Sequence, residues 1–87
     1  MQLTIEVQPV DGDAYTVTTN LYVIVAWERK YKRKASELAS GIAMEDMAFM
    51  AFECCKQSGI TVPAVFDDYV KRIQNVKFVG EEPENPT

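Results

Sequence analysis

The sequence contains no histidine among its 87 residues. Histidine is the usual general base near neutral pH and a frequent zinc ligand. Its two cysteines, Cys54 and Cys55, are adjacent, so a four-ligand zinc site would lack ligands. Neighbouring residues on a helix point about 100° apart, which disfavours a disulfide between them. We therefore predict no metal site and no cofactor, and we interpret both cysteines as buried apolar residues.

Long apolar segments and phosphate-binding loops are also missing. No apolar run approaches the ~20 residues that span a bilayer, and the first residues show no secretory signal, so we expect a cytosolic protein without membrane contact. No Gly-rich phosphate loop occurs. The carboxylate pairs Glu45-Asp46 and Asp67-Asp68 lie near predicted helix starts, where the helix dipole favours acidic residues. The sequence thus predicts no catalytic residues and no enzyme.

The charge balance is acidic but uneven. A net charge of −4 disfavours general affinity for nucleic acid. Five of the nine basic residues lie between residues 29 and 34, and three of the thirteen acidic residues lie between residues 81 and 84. Local charge should therefore matter more for binding than net charge.

The N-terminal part has the pattern of a β-hairpin. Residues 2–8 alternate, with Leu3, Ile5 and Val7 on one face, which predicts a half-buried strand. Turn-forming residues follow, and the β-branched and aromatic segment 14–18 (AYTVT) predicts a second strand. We expect the two strands to pair in antiparallel fashion.

Residues 20–34 allow two interpretations. The segment 21–25 (LYVIV) has high β propensity, whereas 26–32 favours helix. We favour a helix from about Leu21 to Lys32 with Thr19 or Asn20 as its N-cap, and the alternative is a third strand, Leu21–Val25, followed by a short helix. Residues 35–40 (ASELAS) predict a short helical turn that ends at Gly41.

Residues 44–58 predict the central helix, ended by Gly59. Its apolar arc is too broad for a surface helix, so we expect other elements to pack on two sides of it. Phe49 is the exception, because a helical projection places it in the sector that holds Asp46, Glu53 and Lys56. This position suggests either an exposed aromatic anchor for a partner or a second packing surface inside the fold that covers Phe49.

The last third predicts one more helix and a tail. The helix should start near Pro63, with an apolar stripe at residues 65, 66, 69, 70 and 73, and residues 77–79 could be extended. Residues 80–87 (GEEPENPT) predict a disordered acidic tail. We therefore predict a single α+β domain over residues 1–79, an N-terminal antiparallel β-hairpin followed by three to four α-helices, with a flexible tail over residues 80–87.

The strongest local signal for binding is the segment 27–34 (WERKYKRK), which interleaves two aromatic residues with five cations. It suits a solvated helix end with Trp27 in the core, a surface for an acidic partner segment, or contact with nucleic acid. The acidic remainder of the chain argues against the last. The acidic tail could also fold back and cover it. The candidate partner-binding residues are Trp27, Arg29, Lys30, Tyr31, Lys32, Arg33, Lys34 and Phe49.

Four segments together resemble a known family. They are 25–32 (VAWERKYK), 45–51 (EDMAFMA), 63–69 (PAVFDDY) and 84–87 (ENPT). In this order and spacing they are similar to the small tail assembly chaperones of long-tailed bacteriophages. The similarity covers roughly residues 19–87, and the N-terminal hairpin matches less distinctly.

The resemblance implies a non-catalytic protein of the host cytoplasm that is absent from the mature virion. Such chaperones bind the tape-measure protein and keep it soluble while tail-tube subunits assemble round it. Many are also made in a longer form by ribosomal frameshifting near the end of the short reading frame, and an acidic, Pro-containing end would suit such a junction. No catalytic residues carry over. Contact with the tail-tube protein and a homo-oligomer stay open.

Two other functions fit the same residues. One is a structural phage protein, such as a head–tail connector or a tail-terminator subunit, which would stay in purified particles. The other is a small nucleic-acid-binding regulator that uses the basic segment, which would bind with a steep salt dependence.

Overall fold

A computed structural model describes residues 2–82, but it does not describe the side chains of residues 39, 40 and 80–82. The chain forms an α+β fold in which a three-stranded antiparallel sheet packs against helices. The elements in chain order are β1 (Gln2–Pro9), β2 (Tyr15–Thr18), α1 (Leu21–Tyr31), a 3₁₀ helix (Ala35–Ser40), α2 (Met44–Gln57), α3 (Phe66–Lys71) and β3 (Ile73–Glu82).

Strand β1 lies at the centre of the sheet, in the order β2-β1-β3. The predicted hairpin is confirmed, because Ile5 faces Val17 across the antiparallel pair β1–β2. Alternation along β1 turns Leu3, Ile5 and Val7 into the core, as the sequence predicts. The other face of β1 is only half covered.

The third strand is the main correction to the predicted architecture. The sequence analysis expected only a hairpin and an extended stretch at residues 77–79, but β3 spans ten residues and pairs with the whole of β1. Val76 faces Val7 and Phe78 faces Ile5, and a bulge at Val79 shifts the register. The predicted boundary between domain and tail at residues 79 and 80 therefore lies inside β3, and residues 83–87 lie outside the described residues.

Helix α1 is confirmed, and the alternative strand at residues 21–25 is wrong. Asn20 is the N-cap, because its Oδ1 accepts the Val23 N–H at 3.0 Å. The helix ends at Tyr31 because Lys32 adopts the left-handed conformation, with φ 55°. Its buried residues are Val23, Ile24 and Trp27.

Helix α2 is the most buried element, and packing on two sides is confirmed. Ten consecutive residues, Asp46–Cys55, are buried. Both cysteines are free and buried, as predicted. The helix ends before Gly59, whose φ of 80° suits glycine.

The last helix is shorter than the sequence predicts. Helix α3 starts at Phe66 rather than near Pro63, and Ile73, expected to continue its apolar stripe, begins β3 instead. Three α-helices and one 3₁₀ helix thus follow the hairpin. None of the helices in residues 2–82 combines the length and apolar character needed to cross a membrane.

Candidate functional site

Trp27 is buried, as expected for a solvated helix end with Trp27 in the core, and this corrects its place among the candidate partner-binding residues. Its side chain has no exposed area, and its indole N–H donates to Asp46 Oδ1 at 3.0 Å. The second carboxylate oxygen of Asp46 accepts the Ala43 N–H at 3.0 Å. A buried indole N–H needs such an acceptor, so Trp27 holds α1 against α2 and is not available to a partner in this conformation.

Phe49 is also buried, with 6% of its surface exposed, so the predicted exposed anchor is wrong. Its ring packs edge-on against Tyr31 at 5.6 Å and against Phe66 at 5.8 Å between centroids. The ammonium of Lys30 lies 5.7 Å from the Phe49 ring centroid. Helices α1 and α3 therefore cover the side of α2 that a helical projection assigns to solvent.

The basic cluster, residues 29–34, lies at the C-terminal end of α1 and just beyond it. Arg33 is exposed but contacts the fold: its Nε lies 3.0 Å from Glu37 Oε1, and its guanidinium carbon lies 5.6 Å from the centroid of the Trp27 ring. Arg29, Lys32 and Lys34 are exposed. We therefore distinguish Arg33, which contacts the fold, from Arg29, Lys32 and Lys34, which we call the outer cations.

Tyr31 joins the basic cluster to helix α2. Its hydroxyl donates to Glu45 Oε2 at 2.9 Å. Desolvation, with the nearby carboxylate of Glu45, raises the pKa of Tyr31 well above its usual value of 10.0. Tyr31 is therefore a neutral hydrogen-bond donor near neutral pH, and its role here is structural.

The outer face of α1 carries apolar residues that the sequence analysis did not single out. Leu21 is 79% exposed and Tyr22 is 53% exposed, whereas Val25 and Ala26 are half-buried. About two turns after Leu21, the same face of the helix carries the exposed Arg29. We call Leu21, Tyr22, Val25, Ala26 and Arg29 the α1 outer face. The spacing of residues 21, 25 and 29 was the signal that could have revealed it.

An open groove lies between α2, α3 and β3, with a volume of about 400 Å³. Its apolar lining includes Met44, Phe66 and Val70, and Met44 is 54% exposed. Its acidic lining consists of Glu45 and Asp67, both exposed. We call it the acidic groove. The hydrogen bond from Tyr31 to Glu45 places its edge beside the end of α1.

A second groove, of about 550 Å³, lies near the turn after β1 and the loop before α3. Its lining includes Tyr15 and Tyr69, whose hydroxyl oxygens are 3.1 Å apart and lie 3.7 and 3.8 Å from Cys55 Sγ. Burial raises the pKa of Tyr69 and Tyr15. These groups satisfy one another's hydrogen bonds, as is typical of a buried structural contact.

Burial raises the pKa of the Cys54 thiol to about 12, so the reactive thiolate is scarce near neutral pH. Within residues 2–82, no three His, Cys, Asp or Glu side chains lie where they could hold a metal ion. Among the described residues, exposed apolar or charged side chains are grouped at the α1 outer face, the basic cluster and the acidic groove.

Comparison of the chain with protein-family models, curated protein sequences and solved structures finds no match.

Proposed function

We propose that this protein is a non-catalytic assembly chaperone that binds another polypeptide, as the small tail assembly chaperones of long-tailed phages do. The partner in this proposal is the tape-measure protein, with the tail-tube protein as a further contact. The chaperone acts in the host cytoplasm and leaves before the virion is complete. The proposal rests on the resemblance of four segments to that family and on one structural observation, the α1 outer face.

The α1 outer face supports polypeptide binding because it combines exposed apolar area with charge. Leu21 and Tyr22 are large residues with more than half of their surface exposed. Burying an exposed leucine or tyrosine against a partner is favourable by about 1.5–3 kcal/mol per side chain. The outer cations Arg29, Lys32 and Lys34 lie at the end of the same helix, where they can orient an acidic segment.

A tape-measure protein suits this surface, since the family's partners are long helical chains with apolar stripes. An apolar stripe would pack on Leu21 and Tyr22, and acidic residues beside it would lie near the cations. In this proposal Leu21 and Tyr22 provide the apolar contacts that the sequence analysis assigned to Trp27 and Phe49. The proposed contact surface keeps the exposed cations of the basic cluster.

The test is co-expression of the tagged protein with the neighbouring tail genes, followed by affinity capture and mass spectrometry. We expect the tape-measure protein in the captured fraction. Leu21→Asp should lower its capture about tenfold, because a charge replaces a central apolar contact. Val10→Asp is the matched control, since Val10 is 62% exposed in the turn after β1, outside the α1 outer face.

Three results would contradict the proposal. Equal capture by wild type and Leu21→Asp would remove the α1 outer face as the binding surface. Retention of the protein in purified virions would favour a connector or terminator subunit. Tight DNA or RNA binding with a steep salt slope would favour a nucleic-acid-binding regulator.

A further inference from the structure

Two surfaces of this molecule carry opposite charges beside exposed apolar side chains. One is the α1 outer face, which projects apolar side chains next to a cation. The other is the acidic groove, which is recessed, apolar and lined by carboxylates. We propose that the acidic groove of one copy binds the α1 outer face of a second copy, so that the protein associates with itself.

The groove has a firm floor on which an incoming side chain can pack. The ring of Phe66 lies 5.8 Å from that of Phe49 and 5.5 Å from that of Phe52, so the core holds it in place. Val70, 40% exposed, and Met44, 54% exposed, also line the groove. A flexible methionine adapts to the shape of an incoming group. The groove therefore offers unburied apolar surface that is already organised.

The α1 outer face supplies a matching projection. Leu21 is the most exposed large apolar residue in the described chain, at 79%, and Tyr22 lies next to it. Arg29 lies eight residues on, about 12 Å along the helix axis. When Leu21 and Tyr22 of one copy insert into the groove of another, Arg29 of the same helix lies towards the edge of that groove.

Charge fixes which way the helix lies in the groove. Glu45 and Asp67 are exposed at the groove, whereas Arg29 and Lys32 are exposed at the end of α1. Exposed ion pairs contribute little affinity by themselves, but they favour one orientation and penalise the reverse. An acidic partner helix would be repelled from this groove, and the basic face of α1 is accepted.

The occupant is a second copy rather than the same molecule, because α1 packs through Val23, Ile24 and Trp27 on its own core and turns its outer face away. This inference does not depend on the chaperone proposal. If both proposals hold, a helix of the tape-measure protein and a neighbouring copy of this chain compete for Leu21 and Tyr22. Self-association then covers the α1 outer face until the tape-measure protein binds.

The test uses sedimentation velocity on the full chain over a wide concentration range at low ionic strength. We expect the average mass to rise with concentration, and the association to weaken as salt screens the charges. Two charge-reversed variants separate the surfaces. The groove variant combines Glu45→Lys and Asp67→Lys, and the helix variant combines Arg29→Glu and Lys32→Glu.

Each reversed variant alone should associate at least about tenfold more weakly than wild type, because each opposes two like-charged surfaces. An equimolar mixture of the two should associate again, since the acidic helix of one then meets the basic groove of the other. The double change Asp11→Lys with Asp13→Lys is the matched control for the groove variant, because it makes the same charge change in the exposed turn after β1. It should leave association unchanged.

Circular dichroism melts establish that each variant is folded. Should a reversed variant be unfolded, Leu21→Glu provides the same test at a single exposed position. A wild-type mass that stays monomeric at all concentrations would overturn the inference, as would a mixture that fails to associate. Capture of the tape-measure protein is measured separately, so a monomer that still captures it overturns self-association alone.

Discussion

Asp46 shows how one buried residue connects two helices. It is 5% exposed, and its two oxygens accept the Trp27 indole N–H and the Ala43 N–H. The guanidinium of Arg33 lies 3.8 Å from the same carboxylate. Because both oxygens accept hydrogen bonds from these donors, the carboxyl group can be buried between the two helices.

Phe49 lies on the same side of α2, and its burial leads to a prediction at the residue scale. Phe49→Ala should lower the free energy of unfolding by about 3–5 kcal/mol, because a cavity replaces a ring packed between Tyr31 and Phe66. Urea unfolding measures the change. Met44→Ala on the same helix is the control, since Met44 is more than half exposed and should lose far less. Equal losses would show that Phe49 is not a core residue.

A helical projection could not have placed Phe49 or Asp46 correctly. It arranges residues around one helix but does not say how many neighbours cover that helix. Asp46 and Glu53 mark the predicted solvent side, yet both are buried, because α1 and α3 pack where charge suggested water. The basic cluster could be identified from the sequence alone, because its five cations are close together in the chain. It lies at the end of α1, where the sequence analysis ended this helix.

At the scale of elements, the start of α1 is held by a single side chain. Asn20 Oδ1 accepts the Val23 N–H, and Asn20 Nδ2 donates to Gln57 Oε1 at 2.6 Å. The first contact caps α1, and the second joins its start to the end of α2. One residue thus fixes the relative position of two helix ends.

Asn20→Ala should therefore lower the free energy of unfolding by about 1–2 kcal/mol. Asn20→Asp keeps the cap and loses only the donor to Gln57, so most of the stability should return. Thermal unfolding followed by circular dichroism compares the two variants. Equal destabilisation by Ala and Asp would contradict the capping role, and no effect from either would contradict both contacts.

Local patterns predicted the elements whose partners are near in sequence. The hairpin, α1 and α2 carry alternation, a cap or a broad apolar arc within their own residues. Strand β3 was only partly predicted because its partner is far away: Val76 pairs with Val7. Its β character depends on that pairing, and the preceding α3 is too short to signal where helix ends and strand begins.

At the scale of the whole molecule, several buried hydroxyl and thiol groups make the fold sensitive to alkali. Desolvation raises the pKa of Cys54 from 9.0 to about 12, and it raises the pKa of Tyr15 and Tyr69 above their usual value of 10.0. Because the pKa of each of these groups is higher in the folded protein, the group loses its proton at a lower pH in the unfolded chain than in the folded one. The stabilising contribution is complete below pH 9 and is lost as pH rises towards 12.

We therefore expect the urea midpoint to be constant from neutral pH to about pH 9 and to fall steadily above it. Unfolding curves recorded at several alkaline pH values provide the measurement, with reductant present throughout. Cys54→Ala removes one of the titrating groups and should make the decline shallower. A midpoint that does not change up to pH 11, or a decline that Cys54→Ala leaves unaltered, would contradict this account.

The central place of β1 has a consequence for how the chain folds on the ribosome. Residues 2–9 can pair with residues 15–18 once both strands have left the exit tunnel, but their other edge waits for residues 73–82. At about 5–20 residues per second, that delay lasts roughly 3 to 13 seconds. During this interval the nascent chain carries an unpaired edge of β1 beside an unfinished core, and the synthesis of residues 73–82 completes the sheet.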